Sequence, residues 1–189
     1  VDGWQYNYGA ARDVAIVDNG VTGKTITGNS IRMSNAVMDG AFSDWLFSKP
    51  LTTAAKENGN QEFTAEFDIQ SATGAYQPGL QISVAPQTAG GARMSFLRFI
   101  DRPDNTPGVV GGIAVQFADV RNPSGSIVTG PLDPAEQWRQ IDIATGLSRT
   151  APIHVKIVLD LLVGPHNDVA QVYINNSGPL VPATGSIEG

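Results

Sequence analysis

The sequence contains no cysteine. Disulfide bridges, thiolate metal centres and cysteine nucleophiles are therefore excluded, and stability must come from the burial of apolar side chains. No apolar run approaches the length of a membrane-spanning helix, and the start at Val1 shows neither the charged region of a signal peptide nor a lipidation motif. We expect no membrane insertion.

Positive charge is scarce. The chain has 12 Lys and Arg against 18 Asp and Glu, which gives a formal net charge of −6. Nucleic acids and anionic membrane surfaces need clustered basic residues, so we expect neither as a partner. Charged residues make up only 16% of the chain, whereas Asn, Ser, Thr, Gly and Gln are plentiful. This balance is typical of exported bacterial β-proteins. We therefore expect a secreted or cell-surface protein, and the abrupt start at Val1 suggests a part of a longer polypeptide.

Helical periodicity is almost absent. The candidate is one turn that begins at Asp133 with Pro134 in its first position. With 189 residues, of which 41% are hydrophobic, the chain is large enough for one core and small for two. The sequence predicts a single domain over residues 1–189 with a loose C-terminal tail from about residue 177.

Alternation of apolar and polar residues is abundant. It predicts strands over residues 29–33, 62–70, 79–85, 93–99, 112–120, 138–144, 154–163 and 169–175. Turn sequences such as "ENGN", "DRPDNTPG" and "VGPHND" separate these segments. The predicted fold class is all-β, a sandwich of two antiparallel sheets. The strand order stays open, because hairpins and Greek-key crossings leave similar traces in one sequence.

The alternation also sorts side chains into an apolar and a polar set. The apolar set, which includes Phe63, Phe67, Met94 and Phe96, is predicted to form the core. The polar set is interpreted as one sheet face with mixed acids, amides and basic groups, and a plain solvated surface is the alternative interpretation. Its members are Glu62, Glu66, Asp68, Gln70, Gln81, Ser83, Arg93, Ser95, Gln116, His154, Lys156 and Asp160.

Oxygen-rich turns suggest a metal site. The segment "DRPDNTPG" brings Asp101, Asp104 and Asn105 into one loop, and hard oxygen ligands on short loops suit Ca²⁺. The spacing matches no EF-hand, and Asp and Asn in turns often cap their own backbone, so both interpretations stay open. His154 and His166 have no partner pattern, and the motifs of serine hydrolases and zinc peptidases are missing from the sequence.

The segment "EFTAEFDIQSA" resembles a strand of laminarinase-type glycoside hydrolases with the concanavalin A-like jelly roll. That resemblance implies that Glu66 corresponds to the nucleophile and Asp68 to the assisting carboxylate. Gln70 then stands where the family has its acid/base glutamate. A retaining glycosidase needs a protonatable group there, and an amide cannot serve, so we expect a protein without this activity.

A second resemblance extends from Gly3 to Asn175. The segments "RMSNAVMDGAFSDWLFSKPL", "GARMSFLRFID" and "TGLSRTAPIHVKIVLDLLVGPHNDVAQVYIN" resemble bacterial laminin G-like or concanavalin A-like domains of exported proteins. The resemblance implies a jelly-roll topology with carbohydrate or protein binding as its usual use. It is a fold-level analogy and implies no reaction.

Together these observations predict a non-catalytic, lectin-like module that binds a polysaccharide or glycan on a concave sheet. The alternatives are an adhesion or scaffold domain that contacts protein at the cell surface, and a glycoside hydrolase or polysaccharide lyase of the same fold. Trp45, in the aromatic segment "FSDWLFSKP", is either a stacking wall for a sugar ring or a buried part of a lid. The predicted hydrogen-bonding floor consists of Glu66, Asp68, Gln81, Arg93 and Gln116, and Ca²⁺ is the candidate cofactor.

Overall fold

The computed structural model describes residues 5–7, 15–18, 26, 28–32, 45–48, 53–85, 96–121, 137–164 and 168–180. The chain forms two compact units, Val1–Thr52 and Thr53–Gly189. The prediction of one domain over residues 1–189 stays a prediction. The predicted helical turn at Asp133 lies outside the described residues. In the described part of the chain, no helix is both long and apolar enough to cross a bilayer.

The described residues of the first unit form four short strands. They are β1 (Gln5–Asn7), β2 (Ala15–Asp18), β3 (Asn29–Arg32) and β4 (Trp45–Phe47). β1 pairs antiparallel with β4, and β2 pairs antiparallel with β3. Of these strands, only β3 lies in a segment that alternation predicted, residues 29–33.

In the second unit, the part of the chain that the structure describes forms eight strands and a 3₁₀ turn at Glu57–Gly59. The strands are β5 (Ala54–Ala55), β6 (Gln61–Ile69), β7 (Gln81–Val84), β8 (Phe96–Arg102), β9 (Gly112–Arg121), β10 (Gln137–Leu147), β11 (Ile153–Leu161) and β12 (Val169–Ile174). They form two antiparallel four-stranded sheets. Sheet I has the order β10-β9-β8-β7, and sheet II has the order β12-β11-β6-β5. The predicted all-β sandwich is confirmed.

The core lies between the inner faces of the two sheets. Phe67 of sheet II meets Phe99 of sheet I edge to face, with 6.4 Å between the ring centroids. Burying an aliphatic or aromatic side chain of this size contributes about 1.5–3 kcal/mol. Among the described residues, the fully buried ones with the largest side chains are Phe99, Phe117, Leu97, Leu159, Val115, Val155 and Val172.

Strand β8 is the place where the predicted alternation failed. The structure describes it over Phe96–Arg102, whereas alternation predicted residues 93–99, of which 93–95 lie outside the described residues. Leu97 and Phe99 face the core at 2% exposure each. The prediction had chosen Met94 and Phe96 for the core, which would turn Leu97 and Phe99 outward. Because side chains alternate across a strand, a slip of one residue exchanges its two faces.

The chain beyond β12 turns back along that strand. Ser177 pairs with Ile174 in an isolated bridge, and the amide of Leu180 donates to the carbonyl of Val172 at 2.8 Å. Leu180 also packs against the core. Residues 177–180 are therefore anchored, and the predicted loose tail concerns residues 181–189, outside the described part.

Candidate functional site

The predicted hydrogen-bonding floor is divided between two surfaces. Glu66 and Asp68 lie on β6 in sheet II, whereas Gln81 lies on β7 and Gln116 on β9 in sheet I. In each strand these residues alternate with residues that pack into the core, so both sets point outward on opposite sides of the sandwich. The expectation that they share one face is wrong. Alternation distinguishes the inside from the outside of a sheet, but it does not say to which sheet a strand belongs.

The side chains of two further predicted site residues lie outside the described part of the structure. Arg93 is outside the described residues, and Trp45 is described only through its backbone in β4. In sheet I, the outward-facing arginines of β8 are Arg98 and Arg102, at the alternate positions to the buried Leu97.

A row of polar side chains crosses the outer face of sheet I. Ser83 of β7 is paired with Arg98 of β8, Arg98 with Gln116 of β9, and Gln116 with Asp142 of β10. All four residues therefore lie side by side across the sheet. We call Ser83, Arg98, Gln116 and Asp142 the polar row. It combines a hydroxyl, a guanidinium, an amide and a carboxylate.

Hydrogen bonds between strands orient the polar row. Gln116 Nε2 donates to Asp142 Oδ1 at 2.9 Å, and Arg102 Nη2 donates to the same carboxylate at 2.8 Å. Arg98 Nη1 donates to Gln140 Oε1 at 2.9 Å. Linked polar groups of this kind polarise one another and hold fixed positions. The face therefore presents preoriented donors and acceptors.

An irregularity in β10 adjoins the polar row. The register of β10 against β9 shifts between Asp142 and Ala144 and again between Ala144 and Leu147. Bulges change the direction of neighbouring side chains and occur often beside functional sites. Here the shift follows directly after the carboxylate that accepts from Arg102 and Gln116.

The outer face of sheet II carries a histidine between two carboxylates. His154 Nδ1 lies 2.8 Å from Asp68 Oδ1, and Nε2 lies 3.0 Å from Glu66 Oε1. The hydrogen bond to Asp68, together with the negative charges of both carboxylates, raises the pKa of His154 above its usual value. When protonated, the imidazolium donates from both ring nitrogens and joins β11 to β6.

Sequence reasoning missed the partners of His154. The two strands are 86 residues apart at this contact, and only the register places His154 opposite Asp68. The acids at alternate positions of β6 were the available signal, but a single sequence does not tell which strand lies beside them.

Gln70, the third member of the strand that resembles a glycosidase, has a structural contact. Its Nε2 donates to the carbonyl of Thr150 at 2.8 Å and ties the end of β6 to the connection between β10 and β11. The imidazole of His154 separates the other two members, Glu66 and Asp68. In the described residues, no three histidine, aspartate or glutamate side chains are placed to hold a metal ion.

Towards the other end of the outer face of sheet II, a lysine pairs with two carboxylates. Lys56 Nζ lies 2.5 Å from Glu62 Oε2 and also pairs with Asp160. The hydrogen bonds to Asp160 and then to Glu62 raise the pKa of Lys56. All three side chains are partly exposed, and such pairs contribute little to stability.

An arginine occupies the loop in which calcium was predicted. Arg149 Nε lies 2.8 Å from Asp101 Oδ1, and Arg149 Nη1 lies 2.8 Å from Asp104 Oδ2. The cation that balances these carboxylates is therefore a guanidinium. Asn105 has φ of 61°, the left-handed conformation that asparagine adopts in turns. Calcium binding by this loop stays a prediction, and the turn interpretation holds for Asn105 but not for Asp101, which lies in β8.

Arg149 joins three connections at one end of the sandwich. Besides the two aspartates, its Nη2 donates to the carbonyl of Arg102 at 2.6 Å, and its guanidinium lies 5.5 Å from the ring centroid of Tyr76. The hydrogen bonds to Asp104 and Asp101 raise the pKa of Arg149 further. The backbone amide of Gln77 donates to the other oxygen of Asp101, Oδ2, at 2.8 Å.

We call this end of the sandwich the loop end. It comprises residues 70–80, 103–111 and 148–152. Within the loop end, the backbone of Gly111 packs closely against Asp104. A Cβ on residue 111 would lie 2.3 Å from Asp104 Oδ1. Sequence reasoning singled out neither Tyr76 nor Arg149, because the partners of Arg149 lie more than 40 residues away along the chain.

Comparison with known proteins adds no relative. No family model, no curated protein and no solved structure matches the chain.

Proposed function

We propose that the chain is a non-catalytic, lectin-like module of an exported protein and that it binds a carbohydrate on the outer face of sheet I. The polar row of Ser83, Arg98, Gln116 and Asp142 is the observation that carries the proposal. The concanavalin A-like jelly-roll topology and the exported setting are parts of the same proposal.

The chemistry of the polar row fits a hydroxyl-rich ligand. Each sugar hydroxyl is both a donor and an acceptor, so it pairs best with a surface that offers both kinds of group side by side. Arg98 supplies donors, Asp142 supplies acceptors, and Gln116 supplies one of each. Because hydrogen bonds already orient these groups, binding immobilises few additional rotamers.

The neighbouring outward residues extend this surface. Gln81 and Gln140 are exposed, and Arg102 is 22% exposed at its side chain while it donates to Asp142. Arg98 and Gln116 are only partly exposed, and a surface that is covered in part in this way favours modest affinity. We expect millimolar to micromolar dissociation constants, about 4–8 kcal/mol.

The absence of catalysis is part of the proposal. Two properly spaced carboxyl groups, one of them protonated, are needed for glycoside hydrolysis. On the strand that resembles a glycosidase, Glu66 and Asp68 flank His154, and Gln70 holds a loop. This arrangement favours a structural role for that strand.

A matched pair of variants tests the proposal. Gln116→Leu removes an amide from the polar row, and Gln171→Leu removes one from the outer face of sheet II, where it accepts from the hydroxyl of Tyr173 at 2.9 Å. The wild type and both variants are applied to a glycan array, and the bound polysaccharides are assayed for new reducing ends.

We expect wild-type binding without new reducing ends, and Gln116→Leu is expected to weaken it about tenfold or more while Gln171→Leu leaves it unchanged. Equal binding by Gln116→Leu contradicts the assignment of the face. New reducing ends contradict the non-catalytic function. If the wild type binds no glycan on the array, the result contradicts the proposal as a whole and favours the protein-binding scaffold.

A further inference from the structure

We propose that Tyr76 at the loop end is an aromatic subsite, on which one ring of a bound oligosaccharide stacks while another contacts the polar row. This inference rests on the proposed carbohydrate function and specifies that the ligand is an oligosaccharide and that the site extends beyond the sheet.

Tyr76 differs in its exposure from the other aromatic residues whose side chains the structure describes. Among the described residues, the exposed large hydrophobic side chains are Tyr76, Val109, Val110 and Val163, and Tyr76 is the aromatic member of this set at 38% exposure. A tyrosine ring combines a broad apolar face with a polar hydroxyl. The apolar C–H face of a sugar ring and its peripheral hydroxyls match both properties.

The position of the Tyr76 ring is determined from one side. The guanidinium of Arg149 lies 5.5 Å from the ring centroid, within the range of a cation–π contact. Arg149 is itself fixed by Asp101, Asp104 and the carbonyl of Arg102. One ring face is therefore supported by a rigid group, while the residue as a whole stays accessible to a ligand.

The backbone beside Tyr76 is anchored as well. The amide of Gln77 donates to the buried Asp101 at 2.8 Å, and the Gln77 side chain donates to Thr73 Oγ1 at 2.9 Å. A rigid aromatic side chain contributes contact area at low entropic cost, which is why tyrosine is frequent in loop-built binding sites. Without these contacts an exposed loop tyrosine would be mobile and a poor platform.

Arg102 connects Tyr76 with the polar row. Its guanidinium donates to Asp142 on the outer face of sheet I, and its carbonyl accepts from Arg149, on which Tyr76 rests. The loop with Tyr76 leads into β7, and just before that strand the carbonyl of Leu80 accepts from the backbone amide of Asp101. The aromatic ring therefore lies at the end of the same sheet that carries the polar row.

Polar groups of the loop end suit the hydroxyls of a stacked sugar. Asp104 is 55% exposed at its side chain, although Oδ2 accepts from Arg149. The side-chain amide of Gln77 and the hydroxyl of Thr73 lie on the same loop as Tyr76. The loop end thus offers stacking and hydrogen bonding together, as a carbohydrate subsite requires.

The test compares ligand length with the identity of residue 76. Oligosaccharides of graded length from laminarin, cellulose and mannan, beginning with the monosaccharide, are titrated calorimetrically into the wild type, Tyr76→Phe, Tyr76→Leu and Gln116→Leu. Urea unfolding of each variant checks that the fold is intact, and Tyr76→Phe keeps the ring over Arg149.

We expect affinity to rise with chain length in the wild type and in Tyr76→Phe. Tyr76→Leu is expected to lower oligosaccharide affinity about threefold to tenfold while the monosaccharide is unaffected. Gln116→Leu is expected to weaken every ligand.

Two results overturn the inference, and they are distinguishable. If Gln116→Leu loses binding while Tyr76→Leu binds long oligosaccharides as the wild type does, the proposed function stands and the aromatic subsite is refuted. If the wild type binds no oligosaccharide of any length, both proposals are refuted together.

Discussion

Replacing Arg149 by Gln tests whether this residue organises the loop end. Asp101 is fully buried at its side chain, and Arg149 is 12% exposed. The substitution leaves the Asp101 carboxylate with the amide of Gln77 as its remaining donor among the described contacts. Removing one partner of a buried ion pair costs about 3–5 kcal/mol. Because Arg149 is not wholly buried, the lower end applies, and we expect a loss of about 3 kcal/mol.

The exposed partner adds little to this value. Asp104 is 55% exposed at its side chain, and an exposed pair contributes about 0–1 kcal/mol. Arg149→Lys keeps the charge but cannot donate to Asp101, Asp104 and the carbonyl of Arg102 at once, since the ammonium lacks the planar fork. We expect it to lose about 1.5 kcal/mol, the contribution of one charged hydrogen bond.

Equilibrium urea unfolding measures both losses as changes in midpoint at constant slope. For a protein of this size, a loss of 3 kcal/mol lowers the melting temperature by about 6–12 °C. Arg102→Gln is the control, because its pair with Asp142 lies at the surface and contributes at most about 1 kcal/mol. If Arg149→Gln costs no more than Arg102→Gln, Arg149 does not organise the loop end.

Three further predictions concern other parts of the fold. Because its partners raise the pKa of His154, the stabilisation is fully present below the unfolded pKa of about 6.5 and is lost as the pH rises through the folded value, so the urea midpoint of the wild type should exceed that of His154→Gln more at pH 5 than at pH 9. An equal difference at both pH values would refute it. Gly111→Ala should cost about 1–3 kcal/mol by thermal unfolding, since its Cβ would lie 2.9 Å from Asp104 Cα; an unchanged melting temperature would contradict this close approach. Phe99→Ala should cost about 3–5 kcal/mol in urea, and a loss below about 1 kcal/mol would exclude Phe99 from the core.

The strands were predictable where one face of a strand is buried. In β11, Val155, Ile157 and Leu159 are almost fully buried, and the alternate residues are partly exposed. Because a strand of a two-layer fold buries one face, its sequence must alternate apolar and polar residues, as this segment does. The two-residue β5 carries no comparable signal, since burial cannot alternate over one pair of residues.

The misplacement of β8 has a specific cause. The sequence "DRPDNTPG" was interpreted as a turn, because it supplies the proline and positive-φ positions that chain reversals require. In the structure, Asp101 continues the strand and is buried with Arg149 as its partner. That partner lies 48 residues away and belongs to another connection, so local sequence could not supply it.

The candidate site was predictable in kind but not in arrangement. Gln116 and Gln81 were chosen as outward polar residues of a ligand-binding face, and the structure places both on the outer face of sheet I. Arg98 was missed through the slip of β8, and Arg93 was chosen instead. Glu66 and Asp68 lie on the other sheet, because pairing of β6 with β11 depends on contacts distant in sequence.

The central claim is that carbohydrate binds on the outer face of sheet I, and backbone amide chemical shifts measured by NMR during a titration test it most directly. The probe is the oligosaccharide with the highest affinity in calorimetry. We predict that the amides of Ser83, Arg98 and Gln116 shift with a common saturation curve while those of Glu66 and His154 do not. Shifts confined to the amides of β6 and β11, or no shift at saturating ligand, would contradict the claim.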